Sequence, residues 1–268
     1  MKKQLFKQAS KTYYYSTKLF PKDAQIDVTT LYAFVRTADD FVDSVPPQPE
    51  AFKLFEKQYR EALKGHQTHN EIIHDFVILQ KRKQFKQAWV DSFLAAMKQD
   101  LNPKPCKTLN EAIKYMHGSA EVIGLMMAQL LDLPKESHQA AKLLGRSMQY
   151  INFLRDIQED NELKRQYIPQ SILKKHGLKN LSRAEAEKKP EAFKTLIREE
   201  LKRYEEWDAK ARQGFAYIPK RYRVPIQTAA DMYRWTANQI HKNPHIVYEK
   251  KVKPSKARVI TTGVTNAL

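Results

Sequence analysis

The strongest indication of the fold is the segment Arg36-Thr-Ala-Asp-Asp-Phe-Val-Asp43, which lies within a long apolar region. A second stretch of the same kind follows later, Asn152-Phe-Leu-Arg-Asp-Ile-Gln-Glu-Asp160. In each, an arginine precedes carboxylates four residues apart, and residues at this spacing share one face of a helix. Like charges so placed repel, so a cation is expected to offset them. Because Mg²⁺ prefers oxygen ligands and is often shared with substrate phosphates, two such faces predict a metal–diphosphate site.

The surroundings of these acids decide between a functional and a plain structural interpretation. An isolated pair of aspartates is more often part of a solvated helix face. Here apolar side chains, among them Phe34, Phe41 and Phe153, flank the acids, and carboxylates in such a setting must be paired or bound to metal. The two arginines could pair with acids of their own helix. A guanidinium fork also matches phosphate oxygens, and a nearby metal site favours that use.

Composition sets the class of protein. The chain has 268 residues, only 7 glycines, and a net charge of +17 with a pI of about 9.7. Such a surface attracts polyanions or simply favours solubility. Cys106 is the single cysteine, which excludes an internal disulfide framework and favours a reducing compartment. Without a long apolar run or a signal-like start, a cytoplasmic protein is expected, with possible peripheral contact to an anionic membrane.

The pattern of apolar residues and stop signals predicts an all-α bundle of roughly eight to ten helices. The whole chain, 1–268, is expected to form a single domain, with a basic and partly irregular tail from about residue 244. The predicted helices cover 26–42, 51–63, 71–82, 84–99, 109–131, 137–162, 170–175, 190–213 and 225–242. Small residues in the helix over 109–131 would let another helix or a ligand chain come close.

The chain resembles the squalene/phytoene synthase family, the head-to-head (1′–1) trans-prenyltransferases. The two acidic stretches carry the resemblance, and the second is followed by Arg165-Gln-Tyr-Ile-Pro169, as in the family. The segment from Tyr115 to Gly124 and the early Ser10-Lys-Thr-Tyr13 add to it. These motifs span nearly the whole chain, and they imply an all-α isoprenoid synthase fold around a central cavity.

The resemblance also implies a set of site residues. The catalytic set is Asp39, Asp43, Tyr115, Asp156 and Asp160. The expected ligands of Mg²⁺, or possibly Mn²⁺, are Asp39, Asp43, Asn152, Asp156 and Asp160. The expected substrate contacts are Ser10, Thr12, Tyr13, Arg36, Gln149, Asn152, Arg155, Tyr233 and Lys251. Three positions depart from the family pattern: His117 stands where many relatives have tyrosine, Ala9 where some have histidine, and Lys251 where several carry arginine.

The predicted activity is that of a phytoene synthase, which condenses two geranylgeranyl diphosphates through a cyclopropylcarbinyl diphosphate. The alternative is a squalene or dehydrosqualene synthase that uses two farnesyl diphosphates, and only squalene formation would need NADPH. A non-catalytic assembly factor is a remote alternative, since both acidic motifs are intact. Nucleic acid is not an expected partner, because no recognised binding motif accompanies the charge. The protein is expected to act as a monomer or weak dimer on prenyl diphosphate substrates.

Overall fold

The computed structural model describes the backbone of residues 11–268 and the side chains of residues 13–268, and this part of the chain contains helices and no strand. The long helices are α2 (Lys22–Asp43), α3 (Pro49–Leu63), α4 (Glu71–Lys83), α5 (Gln87–Asp100), α8 (His138–Arg155), α12 (Pro190–Gln213), α13 (Lys220–Lys242) and α15 (Lys256–Ala267). The shorter ones are α1 (Lys11–Thr17), α6 (Leu109–Met116), α7 (Val122–Leu130), α9 (Ile157–Glu162), α10 (Gln170–Lys175), α11 (Arg183–Lys188) and α14 (Ile246–Glu249). The all-α prediction is confirmed.

The two acidic stretches lie on helices with well-defined ends. Helix α2 begins directly after Pro21, whose ring fixes a backbone angle suited to a helix start, and it ends at Ser44, ahead of two prolines. Helix α8 carries the start of the second stretch and packs against α7, α12 and α13. Both acidic stretches therefore lie on helices that pack into the bundle, with Asp39, Asp43, Asp156 and Asp160 half-buried.

A continuous apolar core joins the helices from Phe20 to Val252. Phe34 of α2 stacks on Phe76 of α4, with ring centroids 3.7 Å apart, and Phe55 and Tyr59 of α3 pack around this pair. Offset and tilted aromatic contacts of this kind add to the stability that burial already provides. This aromatic cluster fixes the face of α2 opposite to the one that carries the acids.

The helix predicted over 109–131 is interrupted, so that prediction is wrong in part. Between α6 and α7, residues His117–Glu121 form a π-helical turn, in which the Val122 amide donates to the His117 carbonyl, five residues back. One π turn leaves an apolar pattern nearly unchanged, so periodicity could not reveal it. The expected close approach is confirmed, because a Cβ on Gly118 would lie 2.5 Å from the Ser92 carbonyl oxygen.

The helix predicted over 137–162 is also divided, because Asp156 leaves the helical conformation with φ −99° and ψ 17°. Four-residue hydrogen bonds nevertheless continue on both sides of the break. The Asp156 amide donates to the Asn152 carbonyl, and the Asp160 amide donates to the Asp156 carbonyl, each over 2.8 Å. The three predicted ligands of this stretch therefore keep their one-turn spacing despite the break.

The tail from about residue 244, predicted as partly irregular, contains the two helices α14 and α15. Ser255 caps α15, since its hydroxyl accepts a hydrogen bond from the Arg258 amide over 3.2 Å. Helix α15 packs against α1 and α13, and this tertiary support is what the local sequence pattern did not indicate. Among the described residues, no helix combines the length and the apolar character needed to cross a membrane.

Candidate active site

The first acidic stretch occupies the last two turns of α2. The Arg36 guanidinium donates to Asp39 over 2.6 Å and pairs with Asp40 through its other terminal nitrogen. Asp43, one turn further on, pairs instead with Arg165. Burial, followed by the charge of the nearby Asp43 carboxylate, raises the pKa of the Asp39 carboxyl to about 7, against the opposing effect of Arg36.

The second stretch holds its charges differently. Two nitrogens of the Arg155 guanidinium donate hydrogen bonds to the Asp156 carboxylate, over 2.8 Å and 2.5 Å. Lys251 reaches in from the segment before α15, 3.5 Å from Asp156, and pairs with Glu159. Asp160 has no ion pair among residues 13–268, and burial followed by the charge of Asp156 raises its pKa to about 8.

Arg165 ties the two stretches together. Its guanidinium donates to the Asp43 carboxylate and, over 2.7 Å, to the Val42 carbonyl at the end of α2. The charge of Asp43 contributes to the raised pKa of Asp160, and that of Arg165 opposes it. The acids of both stretches therefore share one electrostatic environment, as the sequence predicted.

A further carboxylate outside the two stretches, Asp100 at the end of α5, belongs to this environment. It is buried, and it accepts hydrogen bonds from the phenols of Tyr115 at 2.6 Å and Tyr167 at 2.9 Å. Tyr167 in turn stacks on Phe153, with ring centroids 4.4 Å apart. Burial raises the pKa of Asp100 to about 6 even though both phenols and Arg165 favour its ionised form. Asp100 thus fixes the position of the predicted catalytic tyrosine, Tyr115.

The predicted substrate-binding tyrosines meet on the other side of the second stretch. The Tyr233 hydroxyl donates to the Tyr13 hydroxyl over 2.9 Å, and the Tyr13 hydroxyl contacts the Met148 sulfur at 3.5 Å. The Asn152 side chain lies near the Tyr233 hydroxyl and favours its ionised form, although burial raises the pKa of Tyr233 overall. The Asn152 amide donates to Gln149 over 3.1 Å, so these predicted contacts form one connected group.

Two buried polar atoms at this site lack a partner among the described residues, Asn152 Oδ1 and Arg36 Nε. A buried polar atom without a hydrogen bond is costly, so each is poised for a ligand. Within residues 13–268, no three His, Cys, Asp or Glu side chains converge on one metal position. The donor types still fit a hard divalent cation, whose charge would offset the burial and the like-charge repulsion that raise the pKa values of Asp39 and Asp160.

Two predicted residues cannot be placed at this site. Ser10 and the side chain of Thr12 lie outside the described part of the structure. Lys251 does reach the site, but it contacts acids there. His117, whose position departs from the family pattern, hydrogen-bonds to the buried Glu121 over 2.9 Å.

Sequence reasoning assigned no role to Asp100, Arg165 or Tyr167, which the structure places between the two acidic stretches. Arg165 and Tyr167 belong to the quoted segment after the second stretch, so a signal existed for them. Asp100 follows Lys98 and Gln99 at the polar end of a helix and lies before a proline, a setting typical of a solvated residue. Only its burial in the tertiary structure reveals it.

Comparisons with known proteins show similarity in both sequence and fold. The family model described as squalene/phytoene synthase matches residues 6–258. The 15-cis-phytoene synthase of Paracoccus sp. (strain N81106 / MBIC 01143) is 28% identical over 265 residues, which cover 94% of this chain and 85% of that protein.

Two solved structures show the same fold. A dehydrosqualene synthase in complex with a ligand superposes with a TM-score of 0.87 at 23% identity, covering 99% of this chain and 93% of the other. The squalene synthase HpnC from Alicyclobacillus acidocaldarius superposes with a TM-score of 0.80 at 18% identity, covering 91% and 93%. With a family match over most of its length and both acidic stretches joined in one site, this chain belongs to the squalene/phytoene synthase family.

Proposed function

We propose that this protein is a metal-dependent prenyltransferase that joins two geranylgeranyl diphosphates head to head to form phytoene. The observation that supports this most directly is the meeting of two acidic stretches around Arg165, with raised carboxyl pKa values in each. The name of the Paracoccus relative, 15-cis-phytoene synthase, supports the choice of product.

In this proposal Asp39, Asp43, Asn152, Asp156 and Asp160 hold the metal ions, with Mg²⁺ as the expected ion and Mn²⁺ as a substitute. When bound, the metal supplies charge that stabilises diphosphate as a leaving group. The unpartnered Asn152 Oδ1 and the raised pKa of Asp160 fit this role. An oxygen ligand set of carboxylates and one amide suits such an ion.

The arginines and polar side chains would bind the diphosphates. Arg36 and Arg155 each hold an aspartate in the structure, and each would turn part of its fork toward phosphate oxygens once a cation occupies the carboxylates. The proposed contacts further include Gln149, Tyr233, Tyr13, Ser10, Thr12 and Lys251. Together they would neutralise the charge that develops as each diphosphate departs.

The carbon chemistry would take place beside Tyr115. Departure of the first diphosphate gives an allylic cation, and the double bond of the second substrate attacks it with loss of a proton to form a cyclopropylcarbinyl diphosphate. That intermediate then ionises with departure of the second diphosphate, the resulting cation rearranges, and loss of a second proton gives the neutral 1′–1 hydrocarbon. The Tyr115 phenol, fixed by Asp100, would present its ring to the cation, and the apolar helices would exclude water.

A shorter product is the second candidate, because the structural neighbours include a dehydrosqualene synthase and a squalene synthase. Two farnesyl diphosphates would then replace the two geranylgeranyl diphosphates. NADPH would be needed only if the product is squalene.

The test incubates purified protein with Mg²⁺ and either geranylgeranyl or farnesyl diphosphate, with and without NADPH, and analyses extracted hydrocarbons by mass spectrometry. A C40 hydrocarbon formed without NADPH is expected. A C30 product would replace phytoene by squalene or dehydrosqualene, depending on whether NADPH changes its mass. Folded protein that forms neither would overturn the proposal and favour a non-catalytic assembly factor.

We further propose that the chain works as a single domain, as a monomer or weak dimer, in the cytoplasm and in peripheral contact with an anionic membrane. The net charge of +17 supports attraction to such a membrane. Size-exclusion chromatography with light scattering tests the oligomeric state, and a mass above that of a dimer would contradict it.

A further inference from the structure

Helix α15 presents an apolar stripe to solvent. Ile260 is 46% exposed and Val264, one turn later, is 58% exposed. The adjacent face of the helix is buried through Val259 and Gly263, and Leu19 of the turn after α1 packs against Gly263. The exposed stripe is therefore available to an external partner while the helix itself stays packed on the bundle.

Exposed cations lie on α15 and on the adjoining turn at Lys18–Lys22. Lys256 begins α15, and Lys18, between α1 and α2, lies over the same Tyr15 ring, 5.7 Å from its centroid against 5.2 Å for Lys256. Arg258 lies over Trp235 of α13, and Lys22 begins α2. None of these four cations forms an ion pair with any residue of the described chain.

Acidic groups near the stripe are few. Helix α15 itself contains no Asp or Glu. On α13, Asp231 pairs with Arg212 and accepts a hydrogen bond from Asn266. On α2, Asp23 is exposed next to Lys22, and Asp27 pairs with Arg82. The surface therefore combines an apolar stripe with a net positive rim, the pattern of helices that lie in the interface of an anionic bilayer.

We infer that α15 and the adjoining turn at Lys18–Lys22 form the surface by which this protein lies on an anionic lipid bilayer. Ile260 and Val264 enter the headgroup region, while the four cations contact lipid phosphates. This inference locates the membrane contact that the proposed function includes. Helices α1 and α13, which α15 covers, contribute Tyr13 and Tyr233 to the candidate site, so the bilayer lies one helix layer from the place where the hydrocarbon forms.

The test measures co-sedimentation of the full chain with vesicles of phosphatidylcholine, alone or mixed with phosphatidylglycerol. The paired change Ile260→Gln and Val264→Gln is expected to lower the partition coefficient on the mixed vesicles about tenfold, from lost apolar burial. Its control is Leu54→Gln with Ile78→Gln, on α3 and α4, where the side chains are 55% and 51% exposed. The control should stay within about twofold of the unmodified protein.

A second pair separates local charge from total charge. Lys22→Gln with Lys256→Gln should lower the partition coefficient about tenfold, whereas Lys57→Gln with Lys98→Gln removes the same charge elsewhere and should change it about twofold at most. Equal losses in the test and control pairs would overturn the inference, as would equal binding to neutral and mixed vesicles. The inference would also be overturned if the stripe served self-association instead. In that case the unmodified protein without vesicles would have a larger molecular mass than the Ile260/Val264 variant.

Circular dichroism and hydrocarbon formation without vesicles, measured on every variant, keep the two proposals apart. All four variants should fold and form hydrocarbon normally, because none of the changed residues belongs to the candidate site. Protein that shows the expected differences in vesicle binding but forms no hydrocarbon would contradict the proposed function and support the docking surface. Normal turnover with unchanged vesicle binding in the test pairs would support the proposed function and contradict the docking surface.

Discussion

The two acidic stretches share a sequence pattern but hold their charges in different ways. In the first, an uninterrupted helix places Arg36 one turn before Asp39 and Asp40, and Arg36 pairs with both. Asp43 pairs with Arg165 instead. In the second, the helix breaks at Asp156, Arg155 grips its immediate neighbour, and Asp160 is left without an ion pair among the described residues. The same spacing therefore gives one face whose acids are paired and one face with a carboxylate that forms no ion pair within residues 13–268.

The largest expected effect tests whether both stretches act as metal ligands. Asp39→Asn and Asp156→Asn should each lower turnover at least about a hundredfold, because each removes a carboxylate proposed to hold the metal ion whose positive charge stabilises the departing diphosphate. Helical content by circular dichroism should not change. Asp40→Asn is the matched control on α2, since Asp40 is not a predicted ligand, and its effect should be much smaller. Near-normal turnover in either ligand variant would contradict the site assignment.

Asp100 tests the link between the stretches through the tyrosines. Asp100→Asn leaves one carbonyl oxygen to accept from two phenols, so Tyr115 or Tyr167 loses its fixed position. The kcat should fall about tenfold or more, since small misplacements of reacting groups are costly. Tyr59→Phe is the control, because it removes a buried phenol of α3 that hydrogen-bonds only to glutamines. Equal effects on kcat in the two variants would show that Asp100 has no special role.

Substitution of Arg165 tests how much its contacts with the end of α2 contribute to stability. Arg165→Met should lower the free energy of unfolding by about 2 kcal/mol, because Asp43 and the Val42 carbonyl lose their shared donor. Denaturant unfolding measures it, and Arg183→Met, which removes the exposed pair with Glu187, should cause no clear change. Arg165→Lys should recover only part of the loss, since lysine has no fork. Full recovery would mean that charge alone matters.

The smallest expected effect concerns the unpaired Asp160. Its folded-state pKa of about 8 lies above the unfolded value of about 4, so its contribution to stability is present at low pH and is lost as pH rises through 8. In metal-free protein, the melting temperature of Asp160→Asn relative to the unmodified chain should therefore rise between pH 4 and 9. Mg²⁺ should reduce that difference at high pH. A difference independent of pH would contradict the raised pKa.

Asp156→Asn offers a contrast within the same stretch. Because Arg155 pairs with Asp156, loss of the carboxylate leaves the largely buried Arg155 guanidinium without its partner, whereas Lys251 keeps its pair with Glu159. This variant should be destabilised in metal-free protein at neutral pH, where Asp160→Asn is stabilised. Opposite signs for the two neighbours would establish that the break at Asp156 separates their environments.

How much could be predicted is clearest from particular residues. The acids of both stretches could be identified because four-residue spacing fixes a helix face whatever the rest of the fold does. The family resemblance also pointed to Tyr115, Tyr13 and Tyr233; the structure joins Tyr115 to Asp100 and Tyr13 to Tyr233. The π turn at His117–Glu121 and the break at Asp156 could not be predicted, since each changes the backbone locally without altering the apolar pattern.

The sequence by itself determined the helical class, the family, and the two stretches that carry the acids, because these depend on local spacing and residue type. Only the tertiary structure decided that Asp100 lies beneath two phenols, that Arg165 joins Asp43 to the second stretch, and that α15 leaves an apolar stripe uncovered. Burial and ion pairing depend on which distant helices meet. No local pattern specifies that, because the charge and polarity of a residue are the same in solvent and in the core.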